Sequence, residues 1–138
     1  MQHWELAARE AIRDTIARYN HAGDRGRFDD MIAAFLPDGV LELDGGARHE
    51  GRDALRAFFS HVGDDRGMTV LRHNVTNTLI DVQSPKAATA RSYFTVLTDI
   101  GVDHWGTYHD RFAPVGARWL LAHRSVKTAA YAEGSFFR

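Results

Sequence analysis

LRHNVTNTLIDVQSPKAATARSYFTVLTDIG, residues 71–101, decides the fold. It holds two strand-like runs, Leu71 to Val82 and Ala87 to Thr98, rich in Val, Thr, Tyr and Phe, with a turn at Ser84-Pro85. The pattern continues downstream. His104 to Pro114 and Arg118 to Tyr131 are further runs of the same kind, bounded by turns at Gly101-Val102-Asp103 and Val115-Gly116-Ala117. Turns this short join antiparallel neighbours, so the four runs predict a meander.

Upstream the period changes. Trp4, Ala8, Ile12, Ile16 and Tyr19 form an apolar stripe that predicts a helix over residues 4–22, with Gly23 as its stop and Gly26 opening the turn. Phe28, Met31, Ile32 and Phe35 predict a second helix over 28–36, ended by Pro37-Asp38-Gly39. Val40 to Asp44 alternates as a strand, and Gly45-Gly46 breaks to a short segment, Ala47 to Glu50. A third helix is expected over Arg52 to Val62 with Leu55, Phe58, Phe59 and Val62 inward, then a polar loop over residues 63–67. Helices first and strands after predict an α+β fold, with three helices packed on one face of a curved antiparallel sheet. Neither repeat nor linker interrupts residues 1–138, so a single domain is expected.

Composition narrows the function. The chain is 44% hydrophobic and 25% charged, which suits a packed domain rather than disorder. A net charge of −1 argues against a nucleic-acid partner, which calls for a clustered basic surface. The basic residues are almost all Arg, with Lys86 and Lys127 the exceptions, a bias that suggests a GC-rich bacterial genome. The absence of cysteine excludes disulfides, thiolate metal sites and a cysteine nucleophile. No run approaches the roughly 20 apolar residues of a membrane span, and the first residues resemble no leader, so no membrane partner and a cytoplasmic location are expected.

Two residues far apart in sequence carry the candidate chemistry. Asp24 follows the first helix, and His73 sits in an apolar strand. A carboxylate beside an imidazole orients the ring and stabilises its charged form, leaving the other nitrogen to take a proton. Asp24, flanked by Gly23 and Gly26, also fits a turn residue, and Tyr19 also fits the core. Among the eight histidines no metal-like spacing occurs. His104 and His109 are five apart on one strand and so face opposite sides, and no metal is expected. There is no phosphate-binding glycine loop and no nucleophile elbow.

Tyr19-Asn20-His21-Ala22-Gly23-Asp24, Phe35-Leu36-Pro37-Asp38-Gly39, Glu50-Gly51-Arg52-Asp53-Ala54-Leu55, Arg72-His73-Asn74 and Gly106-Thr107-Tyr108 through Trp119 together resemble the SnoaL-like branch of the nuclear transport factor 2-like superfamily. The resemblance runs from about Ala7 to Thr128 and implies a cone-shaped sheet enclosing an apolar pocket. Tyr19, Asp24 and His73 look most like the Asp–His dyad lyases of this fold: scytalone dehydratase, bile-acid 7α-dehydratase and hexachlorocyclohexane dehydrochlorinase. The bile-acid enzyme also places a tyrosine five residues before its aspartate. Scytalone dehydratase has a second catalytic histidine where this chain offers Thr98. Ketosteroid isomerases of this fold place their aspartate at a position matching Leu43, and Asp44, one residue on, should face the opposite side.

Strand parity puts Leu71, Val75 and Asn77 on the same side as His73. The resemblance turns Phe94, Val96, Thr98, His104, Gly106, Tyr108, Arg124, Val126 and Thr128 inward, with Leu41 and Leu43 joining from the first strand. Gly106 would then leave room for a flat ring. It implies a lyase on an apolar, ring-sized molecule, without cofactor, with His73 as general base, Asp24 as its support, and Tyr19 and Tyr108 as hydrogen-bond donors to the substrate. Arg124 either balances developing negative charge or pairs with Asp110 or Glu42 across strands. A polyketide-type cyclase or hydratase is a second reading, and a non-catalytic binding module or partner subunit a third. The resemblance also implies a homo-oligomer, trimer or dimer. The Phe136-Phe137 tail either covers the pocket or packs on another subunit.

Overall fold

In a computed structural model, which describes residues 1–62 and 66–138, these residues form three helices and six strands. The polar loop expected at 63–67 falls in part on residues 63–65, outside the described residues. Helix α1 (His3–Asp24) buries the predicted stripe from Ala8 to Tyr19, while Trp4 is exposed. Gly23 does not stop it. The stop is Gly26, at φ 67°: its N–H donates to the Gly23 carbonyl at 3.2 Å, and the Arg27 N–H to the Ala22 carbonyl at 2.9 Å. That pair of bonds closes the helix with a left-handed glycine. Asp24 therefore sits in the last helical turn rather than in the loop after it.

The second helix is shorter than its apolar spacing predicts. Helix α2 (Phe28–Ile32) ends early, and strand β1 (Phe35–Leu43) begins where the fourth apolar residue lies. Phe35 pairs with Leu121, whose N–H donates to the Ala34 carbonyl at 2.8 Å. Pro37 disfavours helical backbone at Leu36, so the strand wins. Pro37-Asp38-Gly39 is an irregularity inside β1, between Phe35 and Val40, rather than a free turn.

After β2 (Ala47–Glu50) and α3 (Arg52–Val62) come the four long strands: β3 (Leu71–Ser84), β4 (Ala87–Thr98), β5 (Gly101–Val115) and β6 (Arg118–Tyr131). The sheet order is β2-β1-β6-β5-β4-β3, which leaves β2 and β3 as open edges. The meander is antiparallel as expected. Among the described residues only the β1–β6 pairing is parallel. Helix α1 packs against β3 and β6, its Thr15 hydroxyl donating to the Trp119 carbonyl at 2.5 Å.

Strand irregularities decide which side chains face inward. Asn77 has φ 53°, and the β3–β4 register shifts between Thr76 and Leu79. That bulge resets the alternation. Asn77, expected inward by simple parity, is exposed, whereas Ile80 joins the core. The carbonyl of Ile80 accepts from Arg9 Nη1 at 2.7 Å, tying the bulged segment to α1.

Gly106 serves the sheet rather than a ligand. A Cβ there would stand 2.0 Å from the Lys127 carbonyl oxygen and 2.7 Å from the Phe94 ring. The room expected for a flat ring is taken by Phe94 itself. Gly106→Ala should lower stability by about 1–3 kcal/mol in urea unfolding, through forced displacement of β6 or Phe94. An unchanged midpoint would mean that the strands part there at no cost.

Candidate active site

Helices α1, α2 and α3 and the inner faces of β1, β3, β4, β5 and β6 surround a cavity of about 590 Å³. Its wall is largely apolar, from Phe28, Met31, Leu41, Leu43, Phe58, Phe59, Val62, Leu71, Phe94 and Val126. Into it come Tyr19, Asp24, His73, His104 and Tyr108. A few polar groups converging in an apolar cavity is the usual form of a small-molecule site. A second depression, of about 630 Å³, lies among Asp14, Arg18, Arg25, Arg27, Asp30 and Arg118, away from these groups.

The structure brings Asp24 and His73 together. His73 Nδ1 lies 2.6 Å from Asp24 Oδ1, and the His73 backbone N–H donates to both carboxylate oxygens at 3.1 Å. The Asp24 and His73 side chains are 11% and 21% exposed, so both are largely but not fully shielded from solvent. The backbone bonds exist because β3 is an edge strand, whose outward N–H groups have no ladder partner. With the carboxylate ionised, Nδ1 is the donor, and in the neutral ring Nε2 carries the lone pair. Nε2 has no hydrogen-bond partner among the described residues.

Below these groups lies a buried ion pair. Arg124 Nε and Nη2 donate to Asp110 Oδ1 and Oδ2 at 2.8 and 2.9 Å, with both side chains 0% exposed. The guanidinium stacks 3.9 Å from the Tyr108 ring centre and 4.6 Å from that of Tyr19. Burial works to lower the Arg124 pKa, but Asp110 outweighs it and holds it above its ordinary value. Arg124 does not line the cavity; of its two sequence-level readings the cross-strand pair with Asp110 is the observed one. Burial also raises the pKa of Tyr19 and of Tyr108, against the nearby Arg124 charge, so both phenols stay protonated as donors.

A second carboxylate–imidazole pair faces the same cavity. His104 Nδ1 lies 2.7 Å from Asp103 Oδ1. The Asp103 side chain is 0% exposed and also accepts from Ser135 Oγ at 2.5 Å, the Phe136 N–H at 2.9 Å and Thr98 Oγ1 at 3.0 Å. Burial pushes the Asp103 carboxyl up, but these hydrogen bonds overcome it and hold it below the usual range. Burial pushes His104 down against the opposing pull of Asp103. Phe137 packs on the imidazole at 4.8 Å, and the Arg66 guanidinium lies 4.8 Å above the Phe137 ring. The tail thus covers its own cavity.

Of the sequence-predicted residues, Tyr19, Asp24, His73, Tyr108, Leu41, Leu43, Phe94 and His104 line the cavity. Val96 and Thr98 are buried behind its wall, Thr98 holding Asp103. Asn77 and Arg124 lie outside it for the reasons given. Asp44 departs from expectation: β1 ends at Leu43, so strand alternation no longer governs it, and it reaches the rim. There it accepts from the Thr128 N–H at 2.5 Å and Oγ1 at 2.7 Å. Sequence reasoning missed Asp103, assigned to a turn, and Ser135. The one available signal was an aspartate directly before an inward histidine. Among the described residues no three His, Asp or Glu side chains gather as a metal site. No helix among them is long and apolar enough to cross a membrane.

Comparison places the chain in a family. Residues 4–125 match the SnoaL-like domain, and the chain belongs to that family. A scytalone dehydratase-like protein from Novosphingobium aromaticivorans superimposes with TM-score 0.86 at 21% identity, over 96% of this chain and 91% of that one. LinA does so with TM-score 0.81 at 17% identity, over 95% and 93%. A protein from Catenulispora acidiphila is 30% identical, with TM-score 0.79 over 91% and 95%. Another structure from that organism, 28% identical with TM-score 0.78 over 89% and 94%, was solved in complex with S-DNPA. No curated protein matches the chain. The fold is therefore the nuclear transport factor 2-like α+β fold that the motifs suggest.

Asp110→Ala should cost about 3–5 kcal/mol of unfolding free energy, because it strands a buried guanidinium. The double variant Asp110→Leu/Arg124→Met should recover much of that in the same denaturation assay. Equal losses in both would mean that the pair itself, rather than the stranded charge, carries the energy.

Proposed function

We propose that the protein is a small-molecule lyase acting on an apolar, ring-sized substrate by proton abstraction and loss of a β-leaving group. His73 Nε2 takes a proton from carbon next to an activating group. The C–H electron pair becomes the new C=C bond while the leaving group departs with its own bonding pair. Asp24 keeps the imidazole in the tautomer that presents Nε2 and stabilises the imidazolium that forms. The protonated hydroxyls of Tyr19 and Tyr108 donate to a carbonyl or to a departing oxygen.

One observation carries this reading: the 2.6 Å Asp24–His73 contact on the wall of an apolar cavity, with Nε2 left unpartnered among the described residues. A structural aspartate would need only the backbone N–H of β3. This one also fixes an imidazole whose second nitrogen is spare. Membership of the SnoaL-like family and the likeness to a scytalone dehydratase-like fold support the same chemistry.

The test is a screen of hydroxylated and halogenated ring compounds for elimination, followed by absorbance and proton NMR. His73→Ala and Asp24→Asn should each lower kcat by about 10²–10⁴, the usual worth of a positioned general base. Full turnover by His73→Ala would remove His73 from the mechanism. Tight binding without turnover by the wild type would mark the protein as a binding module.

A further inference from the structure

The cavity holds one imidazole more than proton abstraction requires. His104 is on β5, held by a carboxylate at Nδ1 and packed against three aromatic rings. Asp103 accepts four donors, namely His104 Nδ1, Ser135 Oγ, Thr98 Oγ1 and the Phe136 N–H. A carboxylate offers about four lone-pair positions, so this one is filled by donors and stays ionised. The His104 Nδ1 must then be a donor as well, and Nε2 carries the lone pair. Tyr131 stacks on the ring at 5.3 Å, Phe137 lies against it at 4.8 Å and Phe94 meets it edge-on at 6.0 Å. These contacts leave the ring little freedom to turn.

Nε2 of His104 has no hydrogen-bond partner among the described residues, although the ring lines the cavity and its side chain is only 10% exposed. A ligand that fills the cavity with hydrocarbon or halogen alone would strip water from that nitrogen and return nothing. Leaving a buried acceptor unsatisfied is costly, more so than the gain from satisfying it. A ligand O–H placed there repairs the loss.

We propose that His104, held by Asp103 and the C-terminal segment, is the specificity-determining acceptor of this cavity and selects rings that carry a free hydroxyl. The inference rests on the small-molecule reading above and narrows its substrate class. The selected hydroxyl donates to His104 Nε2 and is retained, because a bare Nε2 has no proton to give a leaving group. The C–H acid lies at His73, and the O–H donor at His104.

The test uses two bicyclic probes whose oxygen carries either a proton or a methyl group, 2-naphthol and 2-methoxynaphthalene, with dissociation constants from calorimetry. The wild type should prefer the naphthol by about tenfold or more. His104→Leu should reduce that preference to about twofold or less while still binding the methoxy compound, which shows the cavity intact. His73→Ala should keep the preference. Should His104→Leu fail to fold, imidazole ¹⁵N spectra of the wild type decide: the His104 Nε2 resonance should move with the naphthol and stay with the ether. Equal affinity for the two probes, no binding of the naphthol, or a preference lost in His73→Ala but kept in His104→Leu overturns the inference. A hydroxyl preference at His104 in a protein with no lyase turnover would sink the proposed function alone. Turnover without the preference would sink this inference alone.

Discussion

The carboxylate of Asp24 joins the end of α1 to the open edge of the sheet, and the geometry of the cavity follows from that joint. It accepts from the His73 N–H and from Nδ1 at once. Its position is locally unfavourable, since a negative side chain in the last turn of a helix opposes the macrodipole by about 0.3–1 kcal/mol. Hydrogen bonds to a charged group contribute about 1.5–3 kcal/mol each, so the contacts to β3 outweigh that cost. A residue that breaks a local rule and is held by tertiary bonds is the kind expected at a functional position. The same bonds occupy an edge-strand N–H that would otherwise be open to pairing with another chain.

Polar groups enter the apolar cavity only where something behind them fixes their direction. Asp24 holds His73, and Asp103 holds His104. Arg124, paired with Asp110, lies under the rings of Tyr19 and Tyr108 as a cationic floor. Such a buried pair is weak evidence for stability, because hydrophobic replacements often do as well. Its value here is positional: the guanidinium stacks on the rings of both tyrosines, and both tyrosines line the cavity. The C-terminal segment completes the wall through Ser135 and Phe136 on Asp103 and Phe137 on His104. Residues at opposite ends of the chain thus share one site.

Much of this was legible in the sequence because it depends on period and turn chemistry. Strands β4 and β6 and helix α3 fall at the predicted residues, and the motifs led to the SnoaL-like family. What was not legible depends on contacts between distant residues. The spacing of Phe28, Met31, Ile32 and Phe35 fits a helix, yet pairing with Leu121 draws Phe35 into a strand. Gly23 looked like a helix stop, but only Gly26 takes the left-handed conformation that closes α1. Parity carried Leu71, His73 and Val75 correctly to the inner face and failed at Asn77, where a bulge resets the count. Asp103 looked like turn chemistry because two of its four partners, Ser135 and Phe136, lie more than thirty residues away.

The central claim is that Asp24 sets the tautomer of His73 so that Nε2 faces substrate without a proton. Imidazole ¹⁵N–¹H correlation spectra of the protein, recorded where the His73 ring is neutral, with and without Asp24→Asn, test it most directly. The account predicts a protonated Nδ1 and a bare Nε2 for His73 in the wild type, and a mixture of tautomers once the carboxylate is an amide. A neutral ring protonated on Nε2 instead of Nδ1 in the wild type, or the same spectrum in both proteins, would contradict it and leave Asp24 as a clasp between helix and strand.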